Sequence, residues 1–419
     1  TQKASQSWCE HSANIVTEWE ASRNDYSGAV FRLEDANIDI EQHGDDFFCE
    51  GPRLEILKLR DKFAGGFMVK KAVVISPHAD DEKEGWFLHR RVSVDEQGWH
   101  EEIDRKYIDE MVKSCGVEDG TSLSTPGYKD TKMKTKDGLL DKVAHTAYRS
   151  VGGSAQYVTD RRGDISFATK EVLRKSHAPT VQDEIKVKRI CRYLRGVPRC
   201  IQHFPWISKV PETLELYVDS DWSGEEDTRK STSGGAAVLG TELKHWCNSQ
   251  ASVSLSSGEA EVKACVKGLI EGLYIKNMLK QQGVDIQLRL HTDSAAALGH
   301  CSRLGPGKRM RHLEGAEIWI QQVLRSGAAS VVKINGKENP ADLFTKYLTR
   351  NEIIRHMSVL GFELKDADDD SLGCKDLELS LVSAAAEEAE DDSEVDMQLG
   401  GVLRSYADKF KVRRLKPAV

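Results

Sequence analysis

The sequence predicts an α/β protein whose second half forms a mixed β-sheet with helices on both faces. From Leu214 onward, short apolar segments and helix-like segments follow in the order β-β-β-α-β-α-α-β-α, which fits a mixed sheet covered by helices. Acidic residues stand at the ends of two of these strands. Residues 140–205 carry apolar side chains at helical spacing, and residues 1–100 mix helical and strand patterns.

The composition is typical of a globular protein of two or three domains. The chain has 419 residues, of which 39% are hydrophobic and 30% charged. No apolar run is long enough to predict a transmembrane helix, and no basic-then-apolar secretory signal is visible. Because the chain starts with Thr1, we expect a fragment or a processed product.

The cysteines predict reduced thiols in the cytoplasm or nucleus. Their number is nine, which is odd, and none forms a CxxC pair. This pattern argues against a disulfide framework and against a zinc site.

The net charge of −8 conceals a basic body behind an acidic tail. Residues 363–397 carry 14 acidic and 2 basic residues, a net charge of −12, which leaves +4 for the remainder. A mildly basic body suits a phosphate-bearing partner without requiring one. Residues 363–419 are predicted to be an acidic, disordered tail with a short basic helix over 399–416.

The first half contains sequence patterns that predict three helices and one strand. Helical periodicity is found over residues 7–19, 53–63 and 101–115, and residues 29–33 predict a strand. The Gly, Ser, Thr and Pro residues of 116–127 predict a connector.

The second half contains clearer signals. Strands are predicted over residues 214–218, 234–239, 243–247, 288–292 and 331–334. Helices are predicted over residues 257–281, from 295, over 313–324 and from Asn339-Pro340, where proline suits a first helical turn.

Four carboxylates at element ends are the main chemical clue. Asp219 and Asp293 end two strands, whose carboxyl ends would share one crevice if the strands are parallel neighbours. Glu261 and Asp342 lie in the first turns of two helices. Any one of them alone is more simply a helix or turn cap, so the inference depends on all four together. Four oxygen ligands suit a pair of Mg²⁺ ions that hydrolyse a phosphodiester.

Five sequence blocks in order resemble the ribonuclease H of copia-type LTR retrotransposons. The blocks are Tyr217-Val218-Asp219-Ser220-Asp221-Trp222, Arg229-Lys230-Ser231-Thr232-Ser233-Gly234, Ser256-Ser257-Gly258-Glu259-Ala260-Glu261, Thr292-Asp293-Ser294 and Asn339-Pro340-Ala341-Asp342-Leu343-Phe344-Thr345-Lys346. The resemblance implies a ribonuclease H-like domain over 211–362 that cleaves the RNA strand of an RNA–DNA hybrid with two Mg²⁺ ions, for which Mn²⁺ can substitute. It assigns metal binding and catalysis to Asp219, Glu261, Asp293 and Asp342.

Two neighbouring acids compete with that set. Asp221 lies two residues beyond Asp219, and alternate residues of a strand share a face, so Asp221 could add a ligand. Residues two apart on a helix do not share a face, so either Glu259 or Glu261 points inward. We choose Glu261 because Glu261-Val262-Lys263-Ala264 matches the family pattern.

The upstream half resembles reverse transcriptase. His43-Gly44-Asp45-Asp46 is similar to the metal-binding hairpin turn of that enzyme, although Gly-Asp-Asp also suits an ordinary turn. Blocks at 148–154, 164–168 and 189–196 are similar to the segment joining polymerase to nuclease. We therefore expect a partial palm over 1–100 and a helical thumb or connection region over 101–210. The third polymerase Asp lies upstream in the family, so we expect a truncated Pol polyprotein without polymerase activity.

Two basic groups are candidate nucleic-acid contacts. Arg189, Arg192 and Arg195 recur every three residues along one predicted helix face. The second group is Lys308, Arg309 and Arg311. Each group could contact phosphates or form a solvated basic face. His312 is predicted to make a local hydrogen bond.

Three alternative functions follow from these patterns. The first is a nuclease of the retroelement type. The second is a catalytically inactive nucleic-acid-binding remnant of a decayed retrotransposon. The third, an integrase, shares the acidic chemistry but ends its carboxylate set with a Glu on a helix, which is not found here.

Overall fold

The computed structural model describes residues 2–129, 138–209, 211–305, 307–308, 310–313 and 315–367. The described residues form a mixed α/β structure with three sheets, which confirms the predicted class. Residues 368–419, with the predicted terminal helix, lie outside the described part. None of the described helices is both long and apolar enough to cross a membrane.

The helices are α1 Gln2–Glu18, α2 Arg53–Gly66, α3 Arg105–Ser114, α4 Lys142–Val158, α5 Ser166–Leu173, α6 Val181–Gly196, α7 Ser257–Gln281, α8 Ala295–Cys301, α9 Gly315–Arg325 and α10 Arg350–Val359. The strands are β1 Ser22–Arg23, β2 Val30–Leu33, β3 Ile38–His43, β4 Asp46–Glu50, β5 Glu84–Phe87, β6 Arg90–Asp95, β7 Gly98–Ile103, β8 Arg199–Pro205, β9 Thr213–Ser220, β10 Thr232–Leu239, β11 Thr241–Ser249, β12 Gln287–Thr292, β13 Ser330–Lys333 and β14 Phe362–Lys365.

The first sheet is an antiparallel meander in the order β1-β2-β3-β4. Buried Phe31, Ile38 and Ile40 pack with Val16 of α1 and Leu59 of α2. The helices predicted over 7–19 and 53–63 and the strand predicted over 29–33 are therefore confirmed.

The second sheet joins segments that are distant in sequence, in the order β14-β8-β7-β6-β5. Its strand β7 shows that the helix predicted from Glu101 was placed too early, because α3 begins only after its N-cap Asp104. Glu101 begins the predicted helix. It is buried, and its carboxylate lies 2.5 Å from Arg161 Nε and 2.9 Å from Arg90 Nη1.

This second sheet also bears on the predicted division of the chain. Its strands come from residues 84–103, 199–205 and 362–365, which lie around the boundaries expected near 100, 210 and 362. The division into palm, connection and nuclease stays a prediction. Strand β8 interrupts the region predicted to be mostly helical because its partners, β7 and β14, are remote in sequence.

The third sheet has the order β11-β10-β9-β12-β13. Strand β12 pairs parallel with both β9 and β13, while β10 pairs antiparallel with both β9 and β11. Helix α7 packs on this sheet through Gly268 and Gly272, where any side chain would collide with Val218 and Leu216. The close approach brings the start of α7 to the carboxyl ends of β9 and β12.

The element order predicted from Leu214 is confirmed up to β13. The last predicted helix is instead a single 3₁₀ turn over Pro340–Phe344. It stays short because the backbone returns to the sheet, where Phe344 packs against Gly234 of β10. Helix α10 and strand β14, which the sequence did not predict, follow this turn.

Candidate metal centre

Three of the four predicted carboxylates meet at one edge of the third sheet. Asp219 lies at the end of β9, Asp293 directly follows β12, and Glu261 lies near the start of α7. One carboxylate oxygen from each lies within 4.8 Å of the others. Strands β9 and β12 are parallel neighbours, which is the condition that the sequence inference required, so their carboxyl ends open into the same crevice.

The fourth carboxylate, Asp342, joins the group through a lysine. Lys346 Nζ lies 2.6 Å from Asp342 Oδ1 and 3.4 Å from Asp219 Oδ2. The 3₁₀ turn that carries Asp342 is tied to the sheet by Asn339, whose Nδ2 donates to the Val218 carbonyl at 2.9 Å. Thr345 Oγ1 donates a hydrogen bond to Asp219 Oδ2. A cation therefore already lies between two of the predicted ligands.

The electrostatics of the cluster favour uptake of positive charge. Burial raises the pKa of Asp219 to about 7, and the neighbouring acids Asp342 and Asp293 add to the rise against the opposing charge of Lys346. Burial likewise raises the pKa of Glu261 to about 8, with further contributions from Asp219 and Asp293.

The pKa values of Asp342 and Lys346 are shifted by the same buried, acidic surroundings. Burial raises the pKa of Asp342 above its ordinary value, although Lys346 opposes the rise. Burial disfavours the charged form of Lys346, but Asp219 and Asp342 outweigh it and hold the pKa of the lysine above its usual range.

The donor set fits a hard divalent cation. Its members are carboxylate oxygens, the ligands that Mg²⁺ and similar ions prefer. Oε2 of Glu261 is buried and has no hydrogen-bond partner among the described residues. A buried carboxylate oxygen without a partner is costly, so a cation at this position would relieve the cost.

The choice between Glu259 and Glu261 is settled by their contacts. Glu259 faces away from the cluster, with its carboxylate 2.9 Å from His312 Nε2 and 2.8 Å from Lys263 Nζ. It also accepts a hydrogen bond from the backbone of Leu255 at 2.9 Å. Glu261 is the inward residue, as predicted, and His312 makes the local hydrogen bond expected of it.

Asp221 does not join the cluster. Strand β9 ends at Ser220, so the alternation that would place Asp221 beside Asp219 no longer applies. Its carboxylate instead accepts a hydrogen bond from the backbone N–H of Thr232. Burial raises its pKa, and the bond to Thr232 opposes that rise.

The three arginines of α6 donate hydrogen bonds to the connector, residues 116–127. Arg189 Nη2 donates to Thr125 Oγ1 at 2.8 Å, and Arg192 Nε donates to the Thr121 carbonyl at 2.7 Å. Arg195 donates to the Gly120 carbonyl. The predicted phosphate-binding role of the three arginines stays a prediction, and these guanidinium groups bind the backbone and hydroxyls of residues 120–125.

The second basic group lies in a loop that contacts the start of α7. Lys308 and Arg311 are exposed in the loop between α8 and α9, next to His312, which contacts the start of α7 through Glu259. Arg309 lies outside the described residues.

The polymerase-like motif forms a hairpin tip. Gly44, with a φ of 61°, and Asp45 make the turn between β3 and β4, and Asp45 and Asp46 are exposed. Within the described part of the chain, neither belongs to a group of three or more metal-binding side chains.

Sequence reasoning missed the supporting residues Asn339, Thr345 and Lys346. All three lie in the block from Asn339 to Lys346 that carried the resemblance, but only Asp342 received a role there. Lys346 follows Asp342 by four residues, a spacing that brings side chains together on one helical turn. That spacing was the available signal.

The comparisons with known proteins agree with the family suggested by the motifs. No family model matches the chain. Its curated relatives are retrovirus-related Pol polyproteins from copia-type transposons, which confirms the resemblance.

Three relatives illustrate the similarity. The chain is 30% identical over 264 residues to the retrovirus-related Pol polyprotein from transposon RE1 of Arabidopsis thaliana, which covers 61% of this chain and 18% of that protein. The chain is 28% identical over 341 residues to the retrovirus-related Pol polyprotein from transposon RE2 of the same plant, and the match covers 77% of this chain and 22% of that protein. It is 28% identical over 255 residues to the retrovirus-related Pol polyprotein from transposon TNT 1-94 of Nicotiana tabacum, and the match covers 59% of this chain and 19% of that protein. The chain thus spans about a fifth of the length of these relatives.

Proposed function

We propose that residues 211–362 form a ribonuclease H-like domain that hydrolyses the RNA strand of an RNA–DNA hybrid with Mg²⁺. The observation that carries the proposal is the meeting of Asp219, Glu261 and Asp293 at the carboxyl ends of two parallel strands. The sheet order with α7 packed across it, and the similarity to retroelement Pol polyproteins, support the same function.

The protein side chains have separable roles in this proposal. Asp219, Glu261, Asp293 and Asp342 would hold Mg²⁺, with Mn²⁺ as a substitute. When bound, Mg²⁺ supplies an activated water and stabilises charge at the leaving oxygen of a phosphodiester. Lys346 holds Asp219 and Asp342 together by charge, and Asn339 and Thr345 fix their backbone and side-chain positions.

The upstream half is proposed to be a partial reverse-transcriptase palm over 1–100 and a thumb or connection region over 101–210. The exposed pair Asp45 and Asp46 at a hairpin tip supports the palm assignment. Primer extension with a labelled template tests for polymerase activity separately.

The central test is cleavage of a labelled RNA–DNA hybrid by the whole chain. We expect Mg²⁺-dependent cutting of the RNA strand, no cutting of the DNA strand, and loss of activity with EDTA or in Asp293→Asn. Equal cleavage by Asp293→Asn and the parent would refute the mechanism. Hybrid binding without cleavage at any Mg²⁺ or Mn²⁺ concentration would favour the alternative of an inactive nucleic-acid-binding remnant.

The exposed pair Lys308 and Arg311 should contribute to binding of the hybrid. Replacing both with glutamine should weaken hybrid binding and reduce the dependence of log K on log [salt] by roughly one per lost phosphate contact. Fluorescence anisotropy at several salt concentrations measures both quantities.

Arg192→Gln is the matched control for this test. It removes a basic residue that donates to the connector backbone, so the salt dependence should not change. An equal loss of slope in both variants would contradict the assignment of the two basic groups.

A further inference from the structure

Two histidines face each other across the second sheet, remote from the carboxylate cluster. His100 of β7 and His203 of β8 are direct cross-strand partners. Their Nδ1 atoms lie 2.9 Å apart. Both side chains are partly exposed, so the space between the rings is accessible to a small ion.

The outer nitrogen of each ring lies against a carboxylate. His100 Nε2 lies 2.9 Å from Asp95 Oδ1, and His203 Nε2 lies 3.2 Å from Glu363 Oε2. A carboxylate accepts a hydrogen bond from a protonated ring nitrogen beside it, as Glu363 does from His203, so it favours the tautomer with the proton on Nε2. The contact between the two Nδ1 atoms is a hydrogen bond when one of them carries a proton, and two lone-pair donors meet there when neither does.

A divalent cation can take the place of the proton in this contact. We propose that His100 and His203 form a binding site for a divalent transition metal of the Zn²⁺ class. The arrangement of carboxylate, histidine, metal, histidine and carboxylate is the usual support of such sites, because the carboxylates fix the ring tautomers and orientations. Imidazole nitrogen favours Zn²⁺, Cu²⁺ or Ni²⁺ over Mg²⁺.

The geometry requires only a small adjustment. Two Zn–N bonds at a tetrahedral angle separate the nitrogens by about 3.3 Å, so the rings need to part by about 0.4 Å. Rotation about the side-chain bonds provides this without moving the strands. Water completes the coordination.

Such a metal would connect three segments of the chain. Its ligands lie on β7 and β8, and the supporting Glu363 belongs to β14. These strands come from residues distant in sequence, so the metal would stabilise the sheet that joins them. The spacing of 103 residues between the histidines gave no signal in the sequence, and the cysteine pattern had argued against zinc.

The test is a Zn²⁺ titration of the whole chain against a chromophoric chelator, with excess Mg²⁺ present for the carboxylate cluster. We expect one equivalent of Zn²⁺ whose affinity falls about 100-fold in His100→Gln or His203→Gln. Asp95→Asn and Glu363→Gln should each weaken it about tenfold, as expected for groups that support metal-bound histidines. His78→Gln is the matched control, because His78 also lies beside a carboxylate, at 3.6 Å from Asp80.

Cobalt substitution distinguishes this site from the thiols. Co²⁺ bound by histidine should give weak visible bands without the strong sulfur-to-cobalt absorption of cysteine ligation, and this holds even if the histidine variants fail to fold. Strong sulfur-to-cobalt absorption, or unchanged Zn²⁺ affinity in the folded histidine variants, would overturn the proposal. Absence of any bound Zn²⁺ would also overturn it and leave a shared proton between the rings.

Discussion

Glu261→Gln should reduce Mg²⁺-dependent cleavage of an RNA–DNA hybrid by roughly three orders of magnitude, the scale expected when a ligand for catalytic metal ions loses its charge. The amide keeps the size of the side chain but no longer offers a charged oxygen to the cluster. Glu261 is also the member whose Oε2 is buried without a hydrogen-bond partner among the described residues. Single-turnover cleavage at saturating enzyme measures the chemical step directly.

Glu259→Gln is the matched control for this prediction. It makes the same chemical change two residues away on the same helix, at a carboxylate bound to Lys263 and His312. We expect cleavage within a few-fold of the parent rate. A large loss in Glu259→Gln together with an active Glu261→Gln would reverse the assignment of the inward residue.

Without a divalent cation, the protein should lose stability as the pH rises from about 4 to about 8. The pKa values of Asp219 and Glu261 are raised by burial from 3.8 and 4.5 to about 7 and about 8. Below pH 4 both carboxyl groups are protonated in the folded and in the unfolded protein, so their burial carries no electrostatic cost. Between pH 4 and pH 8 the two carboxyl groups are ionised in the unfolded chain while they are still protonated in the folded protein. Folding must therefore take up protons, and stability falls as the pH rises. Thermal unfolding at pH 5 and pH 8 in EDTA measures this effect.

Substitutions at the two glutamates should then have opposite signs at pH 8. Glu261→Gln removes an unfavourable buried charge and should raise the metal-free Tm by roughly 5 °C, since 1 kcal/mol corresponds to about 2–4 °C in a domain of this size. Burial opposes ionisation of Glu259, but Lys263 and His312 hold its pKa below the usual value. Glu259→Gln should therefore lower the Tm at pH 8, and this loss should shrink towards pH 4.

Addition of Mg²⁺ completes the comparison. A ligand that binds only the folded state raises its stability by mass action. The parent should therefore gain more Tm from Mg²⁺ at pH 8 than at pH 5, and Glu261→Gln should gain little at either pH. An equal Mg²⁺ effect in the parent and in Glu261→Gln would argue against a metal at this cluster.

The sequence was most informative where local pattern and chemistry coincide. Helix α7 runs over residues 257–281, as predicted, because Ser256 caps it and apolar residues recur at helical spacing. The placement of Asp219 and Asp293 at the ends of two strands also followed from the sequence, whereas the structure shows that these strands are parallel neighbours. It was less informative at Glu101, which was predicted to begin a helix but lies in a strand, in a buried ion pair with Arg161.

The sequence by itself determined the mixed α/β class, the acidic residues at the element ends, and the resemblance to copia-type Pol polyproteins. Only the tertiary structure decided that Lys346 joins Asp342 to Asp219, that Asp221 turns to Thr232, and that the arginines of α6 bind the connector. It also brought His100 to His203. The physical reason is that element ends follow from local periodicity, whereas the partner of a charged side chain depends on which distant strands and loops pack beside it.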